Sequence, residues 1–392
     1  MYFTGKIPFS EIYLHGLVRD EHGKKMSKTK GNVVDPLIVM DELGTDALRF
    51  TLLVGSTAGN DTNLSVKKVE ANRNFANKLW NAARFVIGSL EKAPQTATSS
   101  AIEPTLADKW IWARLQTLVG DVERLFTGHQ YGEAGRQIYD FFWGEYADWY
   151  LEIAKIQLNR GGDCAFNTAR ILVRVLDTCL RLLHPFTPFV TEAIWGHLKS
   201  AASEHSAAFA PGGGWEDALI IARWPEAEAA GDSDEAVIAA MLQLQDVIRA
   251  VRNIRTEKNV KPGKRIPGIL AAAEKAALFE SQREILATLA YLEPEALEIT
   301  AQPVEKPADM ISTAVAGIGI FLKIEETVDK AAELERLEKE LADVKSQIDR
   351  LEKLLNSPFA QKAPAAVVDA EREKLEKFQT TAESLQTQIA GL

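Results

Sequence analysis

The chain has 392 residues, of which 46% are hydrophobic and 26% charged, and its formal net charge at pH 7 is −10. This length allows two or three domains, and the composition is that of a globular protein rather than a disordered one. No apolar run approaches the roughly 20 residues of a membrane span, and the start MYFTGKIPFS lacks a secretory pattern. The two cysteines, Cys164 and Cys179, support neither a disulfide framework nor a zinc site. We therefore predict a cytoplasmic protein that has no membrane segment and no bound metal.

The first distinctive element is a strand-like run, EIYLHGLVRD, followed by a lysine-rich loop, KKMSKTKGN. The loop spans Lys24–Asn32 and holds four lysines. Gly31 and Asn32 tolerate the positive φ of a tight turn, and Asp35 with Pro36 can begin a helix. Ammonium groups at the end of a strand suit the neutralisation of negative charge on a phosphate chain. The alternative is a solvated lysine-rich loop.

The order of residues in this loop resembles a known signature. KMSKT followed by KGN is similar to the KMSKS signature of class I aminoacyl-tRNA synthetases, and HGLVRDEHG and VVDPLIVMDELGTDALRF extend the resemblance. Thr29 replaces the usual serine and keeps the hydroxyl. The resemblance implies that ATP is a substrate, accompanied by Mg²⁺, and that Lys25 and Lys28 are catalytic. The ATP contacts it implies are Lys25, Met26, Ser27, Lys28, Thr29, His15 and Gly16.

The first 35 residues contain too little β-pattern to form a sheet by themselves. We predict that they are the end of a Rossmann-type α/β catalytic domain. Nothing in the chain resembles the HIGH signature or the inserted proofreading domain of the same family. We therefore expect a C-terminal portion of a longer enzyme, inactive by itself.

Residues 36–92 have the pattern of helices, and the string RNFANKLWNAARFVI alternates polar and apolar faces. Its apolar face predicts a packing helix, and the string resembles the connector between the catalytic and anticodon domains of the family. Its polar face leaves a second reading open, contact with RNA. The residues concerned are Asn72, Arg73, Lys78 and Arg84.

A linker is predicted at 93–104, followed by four helical stretches between about Leu106 and Leu198. We place the third at Thr168–Leu183 and the fourth at Pro188–His197. A dense aromatic band covers residues 139–150. We favour a helix-bundle core for these rings, with base stacking as the alternative. FFWGEYADWYLEIAK and RLLHPFTPFVTEAIW resemble the helical anticodon-binding domain of the valine, isoleucine, leucine and methionine enzymes.

A long surface loop is predicted at 200–233, and a helix from Ser233 or Asp234 to about Glu257. Arginines near the end of this helix recur every three residues and so lie close to one face. Such a strip suits phosphate contacts, although a solvated helix end is an equal alternative. The predicted tRNA contacts are Arg249, Arg252, Arg255 and Lys258.

A small α/β subdomain is predicted next, with β-like runs at 266–270, 297–301 and 315–324 and a helix at about 273–289. The chain then ends in two helical stretches separated by Ser357–Pro358. Both carry apolar residues in steps of three and four, which is the heptad seam of a coiled coil, and Glu371 is the one intruder. We predict an antiparallel hairpin, with an intermolecular coiled coil as the alternative. The seam residues are Leu334, Leu337, Leu341, Val344, Ile348, Leu351 and Leu355, then Val368, Leu375, Phe378, Ala382, Leu385 and Ile389.

The C-terminal features choose among the relatives. Isoleucine enzymes typically end in a cysteine-ligated zinc module, and leucine enzymes lack such a hairpin, whereas valyl-tRNA synthetases carry a C-terminal coiled-coil arm. The resemblance to this last family implies tRNA(Val), valine and ATP as partners of a monomeric ligase. A tRNA-binding module without catalysis, or a fragment of an isoleucyl- or leucyl-tRNA synthetase, is the alternative.

The predicted fold is mainly α, in five parts. These are a catalytic-domain end (1–60), a helical connector with linker (61–104), an anticodon-binding bundle (105–230), a small α/β subdomain (231–327) and a coiled-coil tRNA-binding arm (328–392).

Overall fold

The computed structural model describes residues 2–56, 58–99, 101–229, 231, 234–324, 330–356 and 365–390. The described chain is mostly helical with a small sheet, as predicted. It divides into two compact units, the first being Met1–Arg249 with Ala277–Ala290 and the second Ala250–Ala276 with Tyr291–Leu392. The five-part division and the Rossmann-type origin of the first residues stay predictions.

The predicted strand before the lysine-rich loop is much shorter than its sequence pattern suggested. Only Val18–Arg19 (β1) is a strand, and it pairs in parallel with Thr62–Asn63 (β2). A strand exists only where a neighbour supplies hydrogen bonds, and β2 offers two residues. Ile12 and Leu14 are accordingly 87% and 72% exposed.

Three helices surround the first apolar cluster. Asp35 caps α1 by accepting a hydrogen bond from the Leu37 amide, and Pro36 occupies the first turn, as predicted. Ser65 caps α3 in the same way through the Lys68 amide. The three helices are α1 (Pro36–Leu43), α2 (Thr45–Val54) and α3 (Val66–Ser89). Their buried cluster is Val39, Ala47, Leu48, Leu64 and Val69.

The rest of the first unit is built mainly from a helical bundle. A capping box between Thr105 and Asp108 begins its first helix. Two boundaries differ from the prediction. The third stretch begins earlier, directly after Gly161, whose positive φ separates it from the preceding helix. The fourth stretch continues to His205, because Leu198 and Ala202 are also buried. The helices are α4 (Leu106–Thr127), α5 (Tyr131–Asp140), a π-helical segment (Phe141–Tyr150), α6 (Leu151–Arg160), α7 (Gly162–Leu183) and α8 (Pro188–His205).

Most of the aromatic band lies in the bundle core, which is the reading we favoured, whereas Tyr139 and Trp143 are half-buried. Phe142, Tyr146 and Tyr150 are fully buried. The Tyr146 hydroxyl donates to the Leu172 carbonyl at 2.8 Å, and that of Tyr150 donates to Asp108 at 2.7 Å. These rings are therefore packed within the protein and are not presented to a nucleic acid.

The helix predicted to end near Glu257 is α9 (Asp234–Glu257), and the predicted helix at 273–289 is two short ones, α10 (Ala276–Ser281) and α11 (Arg283–Ala290). The second unit contains a four-stranded sheet in the order β4-β3-β6-β5, with β3 and β4 parallel and the other pairs antiparallel. The run predicted at 315–324 contains a turn at Ala316–Gly317, where both residues have positive φ. The strands are β3 (Ile266–Ala271), β4 (Leu292–Thr300), β5 (Ile311–Val315) and β6 (Ile318–Leu322).

Two long helices, α12 (Lys330–Leu355) and α13 (Ala365–Ala390), pack against each other in the second unit. Among the predicted seam residues, Leu337, Leu351, Ala382 and Leu385 are buried. The side chains of Leu334 and Val368 and the turn at 357–364 lie outside the described residues. The antiparallel coiled-coil arrangement therefore stays a prediction.

Candidate functional site

The lysine-rich loop folds back beside β1. A tight turn over Asp20–Lys24 starts it, with the Asp20 amide donating to the Lys24 carbonyl and the Gly23 amide donating to the Asp20 carbonyl, both at 3.0 Å. Gly23 has a φ of +75°, which a residue without a Cβ adopts readily. A bridge between Arg19 and Lys25 continues the pairing. The loop therefore begins as a short hairpin.

A single 3₁₀ turn over Lys28–Lys30 forms the tip of the loop. Ser27 caps this turn, because its hydroxyl oxygen accepts a hydrogen bond from the Lys30 amide at 3.3 Å, and the Ser27 and Thr29 hydroxyls lie 3.2 Å apart. Gly31 closes the turn in the left-handed region, with φ at +65°. The two hydroxyl residues thus shape the turn that carries Lys28.

The Asn32 side chain ties the two ends of the loop together. Its amide oxygen accepts from the Ser27 backbone at 3.0 Å, and its amide nitrogen donates to Asp20 at 2.7 Å and to the Lys25 carbonyl at 3.3 Å. The hydrogen bond from Asn32, followed by the one from the Lys24 amide, lowers the pKa of the Asp20 carboxyl below its ordinary value. The predicted positive φ belongs to Gly31, whereas Asn32 acts through its side chain.

The Met26 side chain connects the lysine-rich loop to the apolar cluster of the first three helices. It packs, partly buried, against the apolar cluster of α1–α3 that includes Ala47 and Leu48 of α2. Lys24, Lys25, Lys28 and Lys30 are exposed on either side of it. Within the described chain, no hydrogen bond or ion pair engages their ammonium groups. Four unpaired cations on one fixed loop attract anions, and phosphate oxygens above all.

His15 and Gly16 precede β1 in the chain, whereas the lysine-rich loop follows it. A Cβ at Gly16 would lie 1.7 Å from the Asn60 carbonyl oxygen, so only glycine fits there. His15 is exposed, and its Nδ1 lies 2.8 Å from the Gly16 carbonyl. No described hydrogen bond joins either residue to the lysine-rich loop. The structure thus brings Lys25–Thr29 together but does not join His15 and Gly16 to them, and the nucleotide role of that pair stays a prediction.

The predicted positive strip on α9 is smaller in the structure. Arg249 pairs with Asp246 at 2.9 Å, and its guanidinium lies 5.1 Å from the Trp149 ring. Arg255 is only 6% exposed and donates to the Tyr291 carbonyl at 3.2 Å and the Lys264 carbonyl at 2.6 Å. The structure therefore removes Arg255 from the predicted strip, because its donors already have partners in the interior.

The other two members differ in exposure. Arg252 is half-buried, whereas Lys258 is exposed just beyond the end of α9. Lys258 and Arg249 are thus the two exposed members of the predicted strip, and Arg249 is paired with Asp246.

Two further features bear on the chemistry. Among the described residues there is no group of three or more His, Cys, Asp or Glu side chains that could hold a metal ion. Among those same residues, no helix has the length and apolar character required to cross a membrane.

Asp20 is the site residue that our sequence reasoning missed. Its carboxylate accepts hydrogen bonds from the His22 amide at 3.1 Å and the Lys24 amide at 2.7 Å, as well as from Asn32. An aspartate three residues before a glycine is a common turn signal. That signal predicts the turn but not the long-range bond to Asn32.

Three family models match this chain in order. The model described as tRNA synthetases class I (I, L, M and V) matches residues 1–65, which contain the lysine-rich loop. The model for the anticodon-binding domain of tRNA ligase matches residues 108–270. These two matches are to domains of the class I tRNA synthetases that act on isoleucine, leucine, methionine and valine. The model described as the valyl tRNA synthetase tRNA binding arm matches residues 329–392.

The relatives agree with one another. The valine–tRNA ligase of Carboxydothermus hydrogenoformans is 41% identical over all of this chain and 42% of its own length. Those of Dehalococcoides mccartyi and Geobacillus stearothermophilus are 40% and 39% identical, over 95% and 100% of this chain. The chain belongs to the valyl-tRNA synthetase family and corresponds to its C-terminal portion. It spans 41% to 43% of the length of these relatives.

Proposed function

We propose that this chain supplies the ATP-phosphate loop and the tRNA-binding surfaces of a valine–tRNA ligase. The complete enzyme joins the valine carboxylate to the α-phosphate of ATP, which releases pyrophosphate and leaves valyl-adenylate. It then transfers the valyl group to the 3′ end of tRNA(Val) and releases AMP. The observation that carries this proposal is a loop with four unpaired ammonium groups, fixed at its base by Met26 and Asn32.

Lys25 and Lys28 are the proposed catalytic residues. As the bond to the α-phosphate breaks, negative charge grows on the departing pyrophosphate, and a nearby ammonium group stabilises that charge. Such a contact raises the rate because it is stronger in the transition state than in the ground state. Ser27 and Thr29 hold the 3₁₀ turn, Met26 holds the base of the loop, and His15 with Gly16 lines the nucleotide. Mg²⁺ would arrive with ATP and share its phosphate charge.

Exposed apolar side chains in the first 40 residues support the proposal that this segment is the end of a Rossmann-type catalytic domain. Tyr2, Phe3 and Phe9 are 97%, 95% and 78% exposed. Apolar surface on this scale is typical of a segment that packs against another part of a protein.

The α12–α13 pair is the proposed tRNA-binding arm, an antiparallel coiled-coil hairpin. Its mutual packing and the family model over residues 329–392 support this role. Lys258, Arg249 and Arg252 are further proposed RNA contacts. We propose a monomeric enzyme in the cytoplasm, where its substrates are present.

Substitution of one lysine tests the loop. Lys28→Ala in the complete ligase should lower valine-dependent exchange of pyrophosphate into ATP on the order of 100- to 1,000-fold, because one donor to the leaving group is lost. Affinity for tRNA should stay near the wild-type value. Lys30→Ala removes a charge from the same loop at a position we do not assign to catalysis, and serves as the matched control. Exchange at the wild-type rate in Lys28→Ala would overturn the assignment.

A second candidate is a tRNA-binding module without catalysis. The chain's coverage of less than half of each relative's length favours this reading for the chain by itself. Both readings expect this chain to bind tRNA without catalysing pyrophosphate exchange, so the complete protein separates them. Exchange that falls in Lys28→Ala supports the catalytic reading, whereas no exchange in the complete protein, together with tRNA binding by this chain, supports the module.

A further inference from the structure

The polar face of α3 left open whether four of its residues pack or contact RNA. The Asn72 amide donates to the Thr51 hydroxyl at 2.7 Å. Lys78 pairs with Asp148 and lies 3.9 Å from the centroid of a tryptophan ring. Arg73 pairs with Glu70 at 3.6 Å. Three of the four residues thus have partners within the protein.

Arg84 is different. It is exposed, and no described hydrogen bond or ion pair engages its guanidinium. One turn before it on α3 lies Trp80, a large aromatic side chain that is 39% exposed. Residues four apart on a helix lie on the same face, so the indole and the guanidinium point to the same surface.

That surface is a groove of about 490 Å³ between α3 and α8, both in the first unit. Its volume is within the roughly 300–1,000 Å³ of small-molecule sites. The His197 ring packs at 90° to the Trp80 ring, with centroids 6.0 Å apart, and this contact helps to hold the indole in place. The lining side chains used here are Trp80, Arg84, Ile87, Ile194, His197 and Glu204.

The chemistry of the groove favours a flat, neutral heterocycle linked to an anion. An exposed indole beside aliphatic side chains presents a stacking face that accepts any base. Arg84 offers an unpaired cation for a phosphate, as guanidinium groups commonly do. Glu204 lines the same groove and disfavours a free anion there, but its carboxylate can accept a hydrogen bond from an exocyclic amino group. A nucleotide within an RNA chain meets all three conditions.

We propose that the α3–α8 groove holds one unstacked nucleotide of the bound tRNA, with its base on Trp80 and its phosphate on Arg84. This inference rests on the proposed function, because it takes tRNA as the partner. It adds a contact on the first unit that is separate from the lysine-rich loop and from α12–α13.

Filter binding of a valine-specific tRNA to this chain, over a series of salt concentrations, tests the groove. Trp80→Leu should weaken binding about 5- to 150-fold, the loss of one stacked base. Trp80→Tyr keeps an aromatic face and should restore most of the affinity, which separates stacking from folding. Arg84→Gln should weaken binding and lower the slope of log affinity against log salt by about 1. Arg124→Gln, an exposed arginine paired with Asp121, is the matched control.

The outcomes separate this inference from the function beneath it. If Trp80→Leu and Arg84→Gln bind like the wild type while removal of residues 331–392 weakens binding, the groove proposal fails and the tRNA function stands. If the wild-type chain does not bind the tRNA, both fail. A loss in Trp80→Leu that Trp80→Tyr does not restore also overturns the stacking assignment.

Discussion

Asn32 shows how a single amide side chain can fix a charged loop. Four lysines close together repel one another, so the loop needs attractive contacts to keep one shape. Asn32 provides them through bonds to Ser27, Lys25 and Asp20. None of these bonds uses a lysine ammonium group, which leaves all four cations available for a ligand.

The Asn32→Ala variant tests this role through the pKa of Asp20. In the wild type the Asn32 amide is the largest cause of the lowered pKa. We expect the Asp20 pKa in Asn32→Ala to rise toward its ordinary value of 3.8, followed by NMR of the carboxyl carbon. In the complete ligase, pyrophosphate exchange should fall about tenfold, because the donors become misplaced.

The sign of the pH dependence follows from the lowered pKa. The stability that the Asp20 carboxylate contributes is present above pH 3.8, its value in an unfolded chain, and is lost as the pH falls through the lower folded pKa. Asn81→Ala, an exposed position on α3, is the control and should leave the Asp20 pKa unchanged. An Asp20 pKa that does not move in Asn32→Ala would contradict the proposed network.

At the scale of residues, the sequence revealed contacts that are local and missed those that are not. The lysine spacing in KMSKT marks the proposed phosphate-binding loop, because the loop is one continuous segment. The burial of Arg255 depends on carbonyl groups of Lys264 and Tyr291, which the fold brings together. Three arginines at helical spacing therefore predicted a surface strip that the structure only partly contains.

At the scale of elements, α2 caps α8 and also binds the turn that precedes it. The Asp46 carboxylate accepts from the amides of Phe189 and Val190 at 3.3 and 2.6 Å, at the start of α8. Thr187, the local capping residue, makes no such side-chain bond. Arg49, one turn further along α2, donates to the Pro185 carbonyl at 2.9 Å near the end of α7. The first amides of a helix have no partner within that helix, and α2 supplies one to α8 from a distance.

Removal of this cap should destabilise the first unit. Asp46→Ala leaves two amides of α8 unpaired, and we expect a loss of about 0.5–2 kcal/mol in the free energy of unfolding. Urea denaturation followed by circular dichroism measures it. Asp41→Ala, an exposed change on α1, is the matched control and should cost less. Equal stability of the two variants would show that Asp46 does not cap α8.

The break between α7 and α8 was predictable from the sequence, but the carboxylate that caps α8 after the break was not. Pro185 and Pro188 mark the break in the sequence, because proline cannot continue a preceding helix. The capping carboxylate lies 143 residues before the amide it accepts from, and no periodicity links positions so far apart. The predicted length of the strand before the lysine-rich loop was wrong for a related reason, because that length depends on pairing with the two residues of β2, which are distant in the sequence.

At the scale of the whole molecule, a net charge of −10 coexists with a proposed polyanionic partner. The position of the cations explains this, because repulsion by the whole chain is weaker than attraction by a close, unpaired group. The lysine-rich loop, Lys258 and Arg84 are exposed cations of this kind. Salt should therefore weaken tRNA binding despite the acidic composition.

Deletion of the α12–α13 pair tests whether it is a tRNA-binding arm. Deletion of residues 331–392 from the complete ligase should raise the Michaelis constant for tRNA, because one binding surface is lost. Adenylate formation should remain, since the lysine-rich loop lies in the other compact unit. Aminoacylation and pyrophosphate exchange, measured side by side on the same preparation, separate the two effects. An unchanged Michaelis constant for tRNA would show that these helices are not a binding arm.

The double engagement of α2 has a mechanical consequence. Through Ala47 and Leu48 the helix contacts the apolar cluster that holds Met26, and through Asp46 and Arg49 it grips the junction of α7 and α8. A movement of the bundle when RNA binds would therefore also move α2 and, with it, the base of the lysine-rich loop. RNA binding by the bundle and the proposed contact of the lysine-rich loop with pyrophosphate would then be coupled through α2.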